Sequence, residues 1–95
     1  MSIFAVTYNY SGDADELSAI RPTHREWLKA QFDDGALLAS GPIIDRPSAL
    51  LIFKSASIEE LSALLDQDPF DVAGLIGERV IEEWNPIYGP FESAK

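Results

Sequence analysis

Ninety-five residues make one small domain, with no room for a second core. Seven basic residues against sixteen acidic ones give a net charge of −9, which argues against nucleic acid or an anionic membrane surface as a partner, because both are held through clustered Lys and Arg. No cysteine is present, so disulfide scaffolds, thiolate metal sites and Cys nucleophiles are excluded.

The opening segment Met1-Ser2-Ile3-Phe4-Ala5-Val6-Thr7-Tyr8 lacks the basic region and long apolar stretch of a signal peptide. No run approaches the roughly 20 apolar residues of a membrane span. The expectation is a soluble, cytoplasmic, single-domain protein over residues 1–95.

Ile3 to Tyr10 reads as the first strand. Phe4, Val6, Tyr8 and Tyr10 share one face, and Ile3, Ala5, Thr7 and Asn9 share the other. Ser11-Gly12-Asp13 breaks it, and residues Asp13 to Ile20 suit a turn or a short helix. Arg21-Pro22 then favours a new helix from Pro22 to Asp34, closed by Gly35, because proline fits a first helical position better than an interior one. On this reading His24 lies in the first turn. Ala36 to Ala39 forms a second strand ending in Ser40-Gly41-Pro42, and a loop leads to a third strand, Ala49 to Lys54.

Ser57 with Glu60 makes a capping box for a helix through Leu65, whose buried side carries Ile58, Leu61, Leu64 and Leu65. Asp68 is placed to cap a short turn from Pro69 to Ala73. Glu78 to Trp84 is the last strand, with Val80 and Trp84 on one side and Ile81 on the other, and the tail from Ile87 to Lys95 runs over the surface.

The order β-α-β-β-α-β defines a ferredoxin-like α+β fold, an antiparallel sheet with both helices on one face. A bare second face would show polar residues at alternate positions of the first and third strands. These strands are apolar on both sides, so a second copy of the chain is expected to cover that face, giving a homodimer.

The one histidine, His24, is the candidate proton carrier; its alternative is a surface or half-buried imidazole with a local hydrogen bond. Asp68 suits a cap, and one carboxylate oxygen could accept a backbone N–H while the other faces His24, fixing its tautomer. Ser40 and Gly41 could offer donors to a substrate oxygen, and Arg21 a guanidinium to a carboxylate. One His, no Cys and no spaced carboxylate cluster disfavour a metal, and no glycine-rich phosphate loop is visible.

The motifs Arg21-Pro22-Thr23-His24, Ser40-Gly41-Pro42 and Asp68-Pro69-Phe70, in this order and with Glu83-Trp84-Asn85-Pro86 near the end, resemble the YciI-like (YCII-related domain) family from Ile3 to about Ile87. The resemblance implies a ferredoxin-like fold pairing through its sheets into a dimeric α/β barrel, similar in architecture to muconolactone isomerases. It also implies a His–Asp active site at His24 and Asp68. One branch is similar to cofactor-independent dehydrochlorinases of chlorinated hydroxyhydroquinones.

The resulting expectation is a lyase or isomerase that needs no cofactor. His24 moves a proton, Asp68 orients it or takes a second proton-transfer role, Arg21, Ser40 and Gly41 hold a small oxygenated or aromatic substrate, and Phe70 walls the pocket. The alternatives are a non-catalytic dimer that binds a small molecule or supports a partner, and a purely structural role for both residues. Against a net charge of −9, either the pocket is locally positive around Arg21 and His24 or the substrate is neutral.

Overall fold

Phe4, Val6 and Tyr8 alternate along the first strand, and the rest of the fold is assembled over them. A computed structural model, which describes residues 1–91, contains β1 (Ser2–Tyr10), α1 (Ala14–Asp33), β2 (Leu37–Pro42), β3 (Ser48–Ser55), α2 (Ile58–Leu65), α3 (Pro69–Val72) and β4 (Ile76–Trp84). The sheet order is β2-β3-β1-β4, with every neighbouring pair antiparallel. This is the ferredoxin-like α+β arrangement. The part of the tail from residue 92 to 95 lies outside the described residues.

The core lies between the helices and one face of the sheet. Phe4, Val6 and Tyr8 of β1 meet Ala49, Leu51 and Phe53 of β3, and Leu61 and Leu65 of α2 close over them, with Trp27 and Leu28 of α1 at the flank. A second cluster of Leu17, Phe70 and Leu75 binds the start of α1 to α3. The two clusters share Tyr10 and Ile76 at their margins, which makes the packing continuous.

The first helix departs from the sequence reading. It is one continuous helix of 20 residues rather than a helix starting at Pro22, and Pro22 lies inside it. Asp13 is the N-cap: its carboxylate accepts the Glu16 N–H, and the Glu16 side chain accepts the Asp13 N–H. Pro22 removes one intrahelical hydrogen bond, that to the carbonyl of Ser18, which is an exposed position where solvent can substitute. The capping box and the burial of Leu17 outweigh that loss. Gly35, at φ 89°, supplies the left-handed residue that ends the helix.

Two strand ends also extend further than expected. Ser40, Gly41 and Pro42 continue β2, paired with Leu51, Leu50 and Ala49. Pro42 is tolerated because β2 is an edge strand and needs donors on one side only. β4 starts at Ile76, so Gly77 is inside it; a Cβ there would come within 3.1 Å of the Ser11 Cβ. That close approach, not a strand boundary, accounts for the glycine.

On the second face of the sheet, Ile3 and Ile52 are buried within the single chain, whereas Leu50 and Trp84 are each 40% exposed. The segment after β4 returns to set Phe91 edge-on against Trp84, with ring centroids 6.1 Å apart. No helix among the described residues is long and apolar enough to cross a membrane.

If α1 begins at Ala14, an Asp13→Ala change removes its cap and should cost about 1 kcal/mol in urea unfolding. An unchanged unfolding midpoint would mean that residues 14–21 contribute no stable helix.

Candidate active site

His24 stands at the middle of α1, where its ring turns inward and is only 6% exposed. The expected position in a first helical turn is therefore corrected: eleven residues into a helix of twenty, the imidazole is out of reach of the helix N-terminal field, which fades within one turn. Its partner is brought from the far side of the cluster. Asp68 is completely buried and caps α3, accepting the Phe70 N–H at 2.9 Å.

The capping geometry aims the carboxylate at His24. Asp68 Oδ1 lies 2.7 Å from His24 Nδ1, and Asp68 Oδ2 accepts the Tyr8 hydroxyl at 3.0 Å. The sequence reading gave one oxygen to the cap and the other to His24. Here both bonds fall on Oδ1, and Oδ2 belongs to Tyr8. A carboxylate that accepts from a backbone N–H and a phenol is an acceptor towards the imidazole as well, so Nδ1 carries the proton.

That assignment leaves Nε2 as the unprotonated nitrogen of the neutral ring. No described residue bonds it, and no buried side-chain polar atom lacks a partner, so Nε2 reaches the open space beside it. Phe70, 2% exposed, packs under the imidazole with centroids 4.1 Å apart and 35° between the planes. It fixes the ring from below while the Asp68 bond fixes its rotation.

The open space is a cavity of about 260 Å³ between α1 and the sheet. Of the expected site residues, Arg21, His24, Ser40, Gly41 and Phe70 line it, while Asp68 sits behind His24, sealed from it. No carboxylate is among the lining residues. Arg21 and Arg25, one helical turn apart, both line it and form no ion pair among the described residues, although the chain carries sixteen acids. Of the two possibilities left open by the net charge, the structure has the first, a locally cationic pocket.

Tyr8, Tyr10 and Arg25 were not singled out in the sequence. Tyr8 and Tyr10 read as core positions of an alternating strand, and nothing local marks their hydroxyls as functional. Arg25 reads as a solvated helix position, which it is, but its position next to His24 also puts it at the cavity edge. Burial, then the Asp68 charge and the hydrogen bond to it, push the Tyr8 phenol far above its ordinary value, with Arg79 opposing weakly. Tyr10 is raised chiefly by burial and next by Asp68, and Arg21 opposes. Both phenols therefore remain proton donors at any pH at which the protein works. Among the described residues no group of three or more His, Cys, Asp or Glu is gathered as a metal site.

A four-stranded ferredoxin-like sheet with a buried His–Asp pair opening on a cationic cavity is the class that fold and site define. The chain belongs to the YCII-related domain family, whose model matches residues 1–85. Among solved structures it is similar to 5-chloro-2-hydroxyhydroquinone dehydrochlorinase of Burkholderia phenoliruptrix, in complex with 2,5-dihydroxybenzoquinone, with 20% identity over 86% of this chain and 92% of that one and a TM-score of 0.76. It is also similar to a NIPSNAP domain protein of Burkholderia xenovorans (14% identity, 95% and 99% covered, TM-score 0.59) and to an antibiotic biosynthesis monooxygenase (10% identity, 93% and 100% covered, TM-score 0.58). At these identities the likeness is one of fold. No curated protein matches the sequence.

The raised Tyr8 phenol links stability to alkaline pH. Its ordinary value is 10.0, so above that pH the unfolded chain releases a proton that the folded chain retains. The contribution is complete below pH 10.0 and is lost as pH rises further. The melting temperature of the wild type should therefore fall more steeply than that of Tyr8→Phe between about pH 9 and pH 11. Parallel curves would contradict a buried, protonated Tyr8.

Proposed function

We propose that the protein is a cofactor-independent acid–base catalyst for a small, oxygenated or aromatic anion, acting by elimination or isomerisation. The observation that carries this reading is the bare Nε2 of His24, backed by Asp68 and opening on a cavity with two arginines that form no ion pair among the described residues. An imidazole held in one tautomer by a carboxylate is poised to take a proton at Nε2, and the carboxylate stabilises the imidazolium that results.

Arg21 and Arg25 hold the substrate oxyanion through charge-assisted hydrogen bonds, and the Ser40 hydroxyl, the Gly41 backbone and the Tyr10 phenol supply neutral donors. Phe70 walls the site beside the imidazole. With the oxyanion fixed, Nε2 removes a proton from the substrate, and the electron pair released forms a new double bond. In an elimination the bond to a leaving group, such as halide, breaks with its electron pair. In an isomerisation no group leaves, and the proton returns from the imidazolium to a different carbon. Asp68 exchanges no proton with the substrate in this scheme, because it is sealed behind His24; it acts as the positioning residue.

The family match and the fold shared with the dehydrochlorinase support this choice of reaction class. 2,5-Dihydroxybenzoquinone, the coloured ligand of that structure, is the first probe, read by its visible absorption. Chlorinated hydroxyhydroquinones, lactones and other hydroxylated aromatics are the turnover panel. With a substrate from that panel, His24→Ala should lower kcat/KM by about 10²–10⁴-fold, the usual contribution of a general base. Unchanged turnover would remove His24 from the chemistry. If the quinone binds to the wild type and to His24→Asn alike and no panel compound turns over, the protein is a binding module.

We also propose that the second face of the sheet pairs with another copy of the chain, since Leu50 and Trp84 remain exposed there beside buried Ile3 and Ile52. Light scattering on eluted protein should give twice the 10.5 kDa chain mass, and Leu50→Glu should reduce it to the chain mass. A monomeric wild type would overturn the pairing.

A further inference from the structure

The Tyr8 hydroxyl is buried in the core, and its bond caps no helix and joins no strand. Tyr8 is 0% exposed at the centre of the sheet, paired with Ala49 on one side and Arg79 on the other, and a phenylalanine would fill the same space. The hydroxyl oxygen reaches a single partner, Oδ2 of the equally buried Asp68, sixty residues away in sequence.

We propose that Tyr8 is a positioning residue of the site, whose hydroxyl holds the Asp68 carboxylate and sets how strongly it attracts the proton on His24. The inference rests on the reading of His24 as the proton carrier, but its test requires no substrate. Asp68 is attached to the chain through two rotatable bonds, and the cap to Phe70 N–H and the His24 bond both fall on Oδ1. Without a donor at Oδ2 the carboxylate is free to turn about its own axis and to exchange its oxygens. The Tyr8 bond removes that freedom. It also withdraws electron density from the carboxylate, since a hydrogen bond donated to an anion stabilises it and lessens its pull on a neighbouring cation.

The groups that face the pair are few, and they separate by element. On α1 they are Arg21 and Arg25; on β1, Tyr10, besides Tyr8 itself; on α3, the Phe70 N–H and Asp71. β2 and β3 offer no charge, only Ser40, Gly41, Pro42, Ala49 and Leu51. Arg79 of β4 acts on Tyr8 from the side, but Asp66 and Asp71 each bind it at 2.9 Å and offset its charge. Among these groups only the Tyr8 hydroxyl touches Oδ2. Burial and the Asp68 charge keep that phenol protonated, so the donor persists across the working pH range.

His24 is the sole histidine, so its ring resonances titrate in an NMR spectrum without overlap from another imidazole. Removing the donor leaves Asp68 a stronger acceptor, which favours imidazolium. In Tyr8→Phe the midpoint of the His24 titration should therefore rise relative to the wild type. Replacing the three tyrosines with 3-fluorotyrosine, a more acidic and stronger donor at the same place, should move the midpoint the other way.

This second measurement keeps the proposal open to test if Tyr8→Phe fails to fold. Identical midpoints in all folded samples, or a shift of the same sign in both, would overturn the role of Tyr8 and make its hydroxyl a packing feature alone. Neither result depends on catalysis: if Tyr8 tunes His24 but no panel compound turns over, the functional reading fails and the positioning role stands.

Discussion

The carboxylate of Asp68 is the point on which the rest of the structure turns. Three donors from three elements converge on it: the imidazole of α1, the backbone of α3 and the phenol of β1. A buried anion is costly unless its lone pairs are filled, and here each donor fills part of that requirement while fixing the element that carries it. The same contacts that make Asp68 tolerable in the core also hold α1 against the sheet at a fixed height. His24 is thereby placed with one nitrogen committed and the other bare, which is a functional arrangement obtained from a structural necessity.

The charge distribution follows the same logic on a larger scale. A chain with a net charge of −9 has ample carboxylates to neutralise its seven cations, and it does so for Arg79 through Asp66 and Asp71 and for Lys29 through Asp33. Arg21 and Arg25, like Arg46 and Lys54, make no ion pair among the described residues. The positions of Arg21 and Arg25 one turn apart on α1, flanking His24, collect positive potential in one concave place while the acidic surface surrounds it. An anion approaching this acidic chain meets two neighbouring cations at the cavity, so the local charge favours a binding place rather than a partner at long range.

Much of the fold was legible in the sequence because its determinants are local. Alternation in Ile3 to Tyr10, the Ser57 cap with Leu61 and Leu65 buried behind it, and Asp68-Pro69 at a helix start each point to one element without knowledge of the rest. The length of α1 was not legible, since Pro22 is a strong local stop signal that yields only to the capping box at Asp13 and the packing of Leu17 on Phe70 and Leu75. In the site, His24 and Asp68 stood out by scarcity and by motif. Tyr8 did not, because its hydroxyl matters only once Asp68, sixty residues further on, is folded beneath it. Contacts of that range leave no periodicity to read.

The site depends on the tautomer of His24, and nitrogen-15 NMR of the imidazole reads it directly in the neutral ring. Protonated Nδ1 with Nε2 carrying the lone pair is the result required by a carboxylate bonded at 2.7 Å to Nδ1 and by a base that faces the cavity. Protonated Nε2 with bare Nδ1 would mean that Asp68 donates or has moved away, and the acid–base site built on it would be contradicted.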